Sequence, residues 1–283
     1  MNVTPYIRLA RMDRPIGTFL VAWPALWALV WAAQGLPNID LLVIFMVGAF
    51  TMRSAGCVIN DIADRNFDGH VERTKSRPLA TGETTLPQAL VWFFILLASG
   101  FIALLMTDWK TVAWGFGAAA LAIIYPFMKR YTHFPQVVLG AAFAWSVPMA
   151  FSAQAGFVPA DAWLIYFATV LWTVAYDTQY AMVDRDDDLK IGIKSTAVFF
   201  GRFDLAAIAV CQAVMLGLLV WFGMLNQATW PFFLAIIVAA CHFAWQFWRC
   251  RSRDRANCFA AFLSNNQIGA IIFIGTSAAL LLA

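Results

Sequence analysis

Charge is what this chain has least of. Only 12% of its residues are Asp, Glu, Lys or Arg, against 62% hydrophobic, and the mean hydropathy is +0.72. A soluble domain carries about 25% charged residues, so a water-facing globular fold is excluded and a polytopic membrane protein is expected. Histidine is scarce too: His70, His133 and His242 stand alone in the sequence, which reads as loop or interface use before catalysis. The five cysteines, Cys57, Cys211, Cys241, Cys250 and Cys258, are odd in number and contain no Cys-x-x-Cys pair, so neither a disulfide framework nor a zinc site is indicated. The Asp-x-Asp-x-Asp-Gly calcium loop is missing as well, which removes an EF-hand. A net charge of +3 is too small to suggest nucleic acid; it fits membrane topology and contact with anionic lipid.

What is present is a series of apolar runs. A transmembrane helix needs about 20 mostly apolar residues, and nine runs qualify: 16–34, 39–60, 87–106, 110–128, 134–154, 161–182, 204–225, 230–248 and 265–282. The expected fold is therefore an all-α membrane helical bundle, one domain over 1–283 with a lipid bilayer as solvent. The first run is too long for a signal-peptide core and reads as an uncleaved span.

The segments before span 1 and between spans 2–3, 4–5, 6–7 and 8–9 hold 17 of the 19 Lys and Arg residues; Arg53 and Lys110 are the others. The positive-inside rule then places those loops and the amino terminus in the cytoplasm.

Two acidic clusters sit at the cytoplasmic ends of spans 2 and 6. The first is Asn60-Asp61-Ile62-Ala63-Asp64-Arg65-Asn66-Phe67-Asp68, the second Asp184-Arg185-Asp186-Asp187-Asp188. Carboxylates crowded beside lipid repel one another and lose hydration, so a cation must compensate them. On a continuing helix Asn60, Asp64 and Asp68 fall at i, i+4 and i+8, and Asp184 and Asp188 at i and i+4, so each set forms one oxygen-rich edge. Hard oxygen ligands suit Mg²⁺, which keeps several waters and commonly bridges carboxylates to substrate phosphates. Solvated loop charge is the plain alternative for one such cluster; two on one face, each followed by basic residues, argue for a site.

Those basic residues supply the anion side. Arg73, Lys75 and Arg77 follow the first cluster and Lys190 and Lys194 the second, with Lys129 and Arg130 in a third loop. Arginine offers bidentate contacts to phosphate and lysine a point charge, although cytoplasmic loops are basic for topological reasons alone. The arrangement of span, acidic stretch, basic stretch and glycine recurs after about 120 residues, as two related halves would. Arg53 lies inside span 2, where a charge costs about 2.5–3.5 kcal/mol or more unless it meets a partner or a polar cavity. It either pairs with an aspartate or binds a substrate carboxylate or phosphate.

Three stretches carry a family resemblance: Asn60-Asp-x-x-Asp64-x-x-x-Asp68, the run Tyr176 to Asp188, and Ile191-Gly192-Ile193-Lys194-Ser195-Thr196. With Asp13-Arg14-Pro15-Ile16-Gly17, Tyr125 to Arg130 and Asn265-Asn266, they make the chain resemble the UbiA family of intramembrane prenyltransferases over nearly its whole length. The resemblance implies that Asn60, Asp64, Asp68, Asp184 and Asp188 coordinate Mg²⁺ on the diphosphate of a polyprenyl donor, with the aspartates Asp64, Asp68, Asp184 and Asp188 catalytic. It implies diphosphate contacts from Arg77, Lys129 and Lys194, to which the basic stretches themselves add Lys75 and Lys190. Arg53 and Tyr125 fall to the aromatic acceptor, for which 4-hydroxybenzoate is expected, prenylated ortho to its hydroxyl in ubiquinone biosynthesis. The resemblance does not divide the roles among Asp61, Asp177, Asp186 and Asp187.

Related enzymes take a naphthoate, a haem vinyl group or a chlorin alcohol. An ion-coupled transporter is disfavoured because its charges would sit near mid-bilayer, and the paired clusters disfavour a purely structural protein. No motif encodes donor length or oligomeric state.

Overall fold

The computed structural model describes residues 3–65, 74–192 and 194–282, with the backbone alone at 129, 130 and 191. Among the described residues every regular element is helical. A short α1 (Thr4–Leu9) leads into α2 (Ile16–Ala33), α3 (Ile39–Asp64), α4 (Leu86–Leu105) and α5 (Trp109–Tyr131). A broken pair follows, α6 (Pro135–Ala144) and α7 (Ser146–Ala155), then α8 (Ala162–Ile191), the short α9 (Thr196–Phe200), α10 (Asp204–Leu225), α11 (Trp230–Cys250) and α12 (Arg255–Leu281).

Local chemistry sets several of these ends. Asn38 accepts a hydrogen bond from the Asp40 amide at the start of α3, Thr85 and Gln88 form a reciprocal capping box at α4, and Asp108 accepts from the Lys110 and Thr111 amides at α5. Each satisfies amides that the first helical turn leaves without partners. At the other end of α8, Gly192 takes φ 73°, a conformation glycine adopts without a Cβ penalty. That turn stops the helix four residues after Asp188.

Eight helices, counting α6–α7 and α9–α10 as one each, are long and apolar enough to cross a membrane by length and composition. The remaining expected span, the sixth, 161–182, is the first part of α8; it is helical, but Thr, Gln, Tyr and Asp along it make it too polar for that criterion. The polarity has a use. Thr169, Thr173, Thr178 and Gln179 are all buried, because α8 packs against α6, α10 and α12 in the interior of the bundle. Gln179 joins Gln212, Gln246, Ser264 and Asn265 in a buried hydrogen-bonded network, closed by the Trp172 Nε1 bond to Asn265 at 2.9 Å. Interhelical side-chain hydrogen bonds of this kind hold membrane helices together where lipid offers no hydrophobic drive.

The sequential helices pack as neighbours from α2 round to α12, and α12 returns to α2. The main core joins α2, α7, α8, α10, α11 and α12, with Trp27 against Trp172 at 5.2 Å and Trp31 edge-on to Phe222 and Phe232. On the other side, α3, α4 and α5 are far less filled and border a cavity.

Three helices run past the expected spans. Hydropathy ends span 2 at 60 and span 6 at 182, but α3 continues to Asp64 and α8 to Ile191; α12 starts at Arg255, ten residues before its span. A hydropathy window marks only the lipid-matched part of a helix. These extensions carry the charged residues on continuous helix.

Candidate active site

One cavity of about 1270 Å³ opens between α3, α4, α5, α6 and α8, with α2, α7 and α12 completing its walls. Asn60 and Asp64 reach it from the last turns of α3, Asp184 and Asp188 from the last turns of α8. Asp64, Asp184 and Asp188 are 5%, 8% and 9% exposed. The i, i+4 spacing thus works as expected on both helices, and residues about 120 positions apart share one wall-to-wall space. Asp68 and Arg73 lie outside the described residues, as does His70, and so does the Lys129 side chain.

The same helical geometry divides the second cluster. Asp184 and Asp188 face the cavity, while Asp186 and Asp187 turn outward to Arg255, whose guanidinium lies 3.9 and 3.2 Å from them. Asp187 also meets Lys190 Nζ at 3.8 Å, and Lys190 is 75% exposed and outside the cavity wall. Lys75, exposed, lies outside it too. Arg77 and Lys194 do line the cavity, Lys194 directly after the Gly192 turn, with Nζ 3.5 Å from the Tyr131 carbonyl.

Asp61 has a different task from its neighbours. It is 1% exposed and accepts from Arg11 Nη2 at 2.7 Å while Arg77 Nη1 lies 3.0 Å away on the same oxygen. One buried carboxylate therefore ties the amino-terminal segment and the loop before α4 to α3. Arg8 strengthens the tie, donating to Glu83 and to the Ser76 carbonyl, both at 2.8 Å. Reading the sequence for topology alone hid this: Arg8, Arg11 and Arg14, at i, i+3 and i+6, line the cavity mouth. So does Arg255, at the start of α12. Their spacing before the first span was the available signal.

Deeper in, Arg53 points into the cavity and its Nη1 contacts Cys57 Sγ one turn further along α3. Gly17 leaves room for it, since a Cβ there would stand 2.8 Å from Arg53 Nη2. Tyr125, Tyr176, Asp177 and Tyr180 line the same level. Arg53 thus faces a polar cavity rather than lipid, which meets the condition set by its position in a span. Below it the walls become apolar, with Ile44, Phe101 and Leu104 among glycines and alanines.

Among the described residues no three His, Cys, Asp or Glu side chains gather into a metal-holding group. The donors nevertheless fit a divalent ion of the magnesium kind. They are hard oxygens, they come in pairs from two helices onto one cavity, and such an ion takes one or two carboxylates plus substrate phosphate instead of a complete protein cage.

A helical membrane fold with an acidic and basic mouth over an apolar chamber defines a membrane-embedded enzyme class that handles an anionic head on a lipid tail. The chain belongs to the UbiA prenyltransferase family, which it matches over residues 21–273. It is 53% identical, over 95% of both chains, to a protein of Vibrio parahaemolyticus named 4-hydroxybenzoate octaprenyltransferase. Its fold is similar to an apo UbiA homologue from Aeropyrum pernix K1, with a TM-score of 0.80 at 21% identity over 91% of this chain and 96% of that one. A UbiA homologue from Archaeoglobus fulgidus bound to GPP and Mg²⁺ aligns with a TM-score of 0.73 at 20% identity, over 99% of this chain and all of the other.

Proposed function

We propose that the protein is a 4-hydroxybenzoate polyprenyltransferase that moves a polyprenyl group, octaprenyl by its relatives' names, from its diphosphate to the ring carbon ortho to the hydroxyl. The observation that carries the reading is the convergence of Asn60, Asp64, Asp184 and Asp188, from two distant motifs, on one cavity with an apolar interior. All of residues 1–283 serve as one domain in this account. The mouth faces the cytoplasm of a bacterial inner membrane, because Arg8, Arg11, Arg14, Arg77, Lys194 and Arg255 line it and basic segments flanking spans face the cytoplasm.

In the mechanism, Asn60, Asp64, Asp68, Asp184 and Asp188 would hold Mg²⁺, which would supply positive charge to the donor's diphosphate. Arg77 and Lys194, with Lys129 from α5, stabilise charge developing on the same leaving group. Arg11 and Arg255 extend this positive rim. The allylic carbon–oxygen bond breaks with its electron pair leaving on the diphosphate. Arg53, with Tyr125 beside it, receives the acceptor's carboxylate and turns the ring carbon ortho to the hydroxyl toward the allylic carbon. A carbon–carbon bond forms there, and the ring proton passes to a carboxylate of the second cluster. The apolar walls keep water from capturing the allylic cation, and the tyrosine faces stabilise it.

The test is an assay of membranes containing the protein with a polyprenyl diphosphate, Mg²⁺ and a panel of aromatic acceptors, with the product read by mass spectrometry. Prenylated 4-hydroxybenzoate is the expected product; transfer to a naphthoate or to no acceptor contradicts the assignment.

A further inference from the structure

The cavity runs far below its charged mouth, and one face of α3 follows it throughout. Ile44, Gly48, Met52, Gly56, Asn60 and Asp64, each four residues after the last, all line it. From Asp64 to Ile44 is about 30 Å of helix at 1.5 Å per residue. The facing wall comes from α4 and α5, at Gly100, Ala103, Leu104 and Gly115 among others.

The glycines of these walls differ in what occupies the space of their absent side chains. A Cβ on Gly100 would stand 2.9 Å from Thr51 Oγ1 and 3.0 Å from Met52 Sδ, and one on Gly115 would collide with Leu104. Those two let helices approach. A Cβ on Gly48 or Gly56 meets nothing within 4 Å, so no helix uses the room they leave. Glycine inside a helix is otherwise unfavourable, and at Gly48 close packing does not account for it. Gly56 lies one turn from Asn60, at the mouth. Gly48 lies twelve residues from Asn60, about 18 Å down the cavity, where the surroundings are apolar.

We propose that Gly48 determines the length of prenyl chain the enzyme accepts: the donor's tail crosses the gap it leaves, and a side chain there closes the lower cavity to long tails while leaving the upper cavity for short ones. The proposal rests on the prenyl-transfer reading of the mouth.

It is tested by measuring turnover with octaprenyl diphosphate and with geranyl diphosphate, each with 4-hydroxybenzoate and Mg²⁺, in the unsubstituted protein, Gly48→Phe, Gly48→Leu and Val47→Phe. Val47 is 41% exposed at the same depth and does not line the cavity. The octaprenyl-to-geranyl ratio is expected to fall at least about tenfold in Gly48→Phe, the usual scale of a steric clash in a filled site, less in Gly48→Leu, and to hold in Val47→Phe. A ratio unmoved in both Gly48 variants, or loss of both donors alike in both, overturns the proposal. Failure of the unsubstituted protein to use either donor overturns the prenyl-transfer reading itself, a separate result.

Discussion

Replacing Asp61 by Asn tests how the cavity mouth is held together. The carboxylate is 1% exposed and its Oδ1 meets Arg11 at 2.7 Å and Arg77 at 3.0 Å, with those side chains 22% and 14% exposed. A hydrogen bond to a charged group contributes about 1.5–3 kcal/mol. Asparagine keeps an acceptor oxygen but loses the charge, and the partial exposure of both arginines screens some of the effect. A net loss of about 2 kcal/mol follows, equivalent to about thirtyfold. Because Arg77 lines the cavity, the loss should appear as a higher KM for the polyprenyl donor, with the KM for 4-hydroxybenzoate much less affected. Arg77→Gln should raise the donor KM as well. If Asp61 works by positioning Arg77, the double variant falls well short of the sum of the two, a coupling that double-variant cycles resolve above about 0.5 kcal/mol. Additive effects, or a donor KM within twofold in Asp61→Asn, would refute the reasoning.

The remaining expectations follow from the same geometry. Asp64→Ala and Asp184→Ala should each abolish transfer while the protein still inserts, as read by product mass spectrometry and membrane fractionation; ordinary turnover at saturating Mg²⁺ removes the metal assignment. Arg53→Ala should raise the KM for 4-hydroxybenzoate more than that for the donor, and the reverse pattern contradicts its acceptor role. Asp204 is fully buried and holds Arg185 at 3.1 Å and Arg253 at 2.8 Å, and its hydrogen bonds raise Arg253 above the ordinary arginine range. Asp204→Ala should therefore lower stability by about 2 kcal/mol after allowing for the exposed arginines, visible as a lower Tm in detergent, with no loss of Mg²⁺ dependence.

How legible all this is in the sequence depends on whether partners lie near one another along the chain. Asn60 with Asp64, and Asp184 with Asp188, were legible because a helix converts a spacing of four into a shared face. The partner of Asp186 and Asp187 was not, because Arg255, which meets both, lies 68 residues from Asp187. Asp61 resolves only when Arg11 and Arg77 are both seen on one oxygen. The basic residues of the amino terminus read as topology markers, since loops beside a membrane collect positive charge for that reason anyway; that they close a cavity mouth depends on α1 folding back over α3. The spans were legible by hydropathy, while α8 shows the limit of that signal: its buried Gln179 bonds to α11 and α12 and Thr178 to Thr196, and a polar interior helix resembles a poor membrane span.

The central claim is that two distant motifs hold one metal-bound diphosphate for transfer to 4-hydroxybenzoate. The most direct measurement follows diphosphate release and prenylated product together in purified protein, first with a chelator and then with Mg²⁺ restored. Both should stop in the chelator and return in equal amounts with Mg²⁺. Product formation that continues without a divalent ion, or diphosphate release with no prenylated 4-hydroxybenzoate, would contradict it.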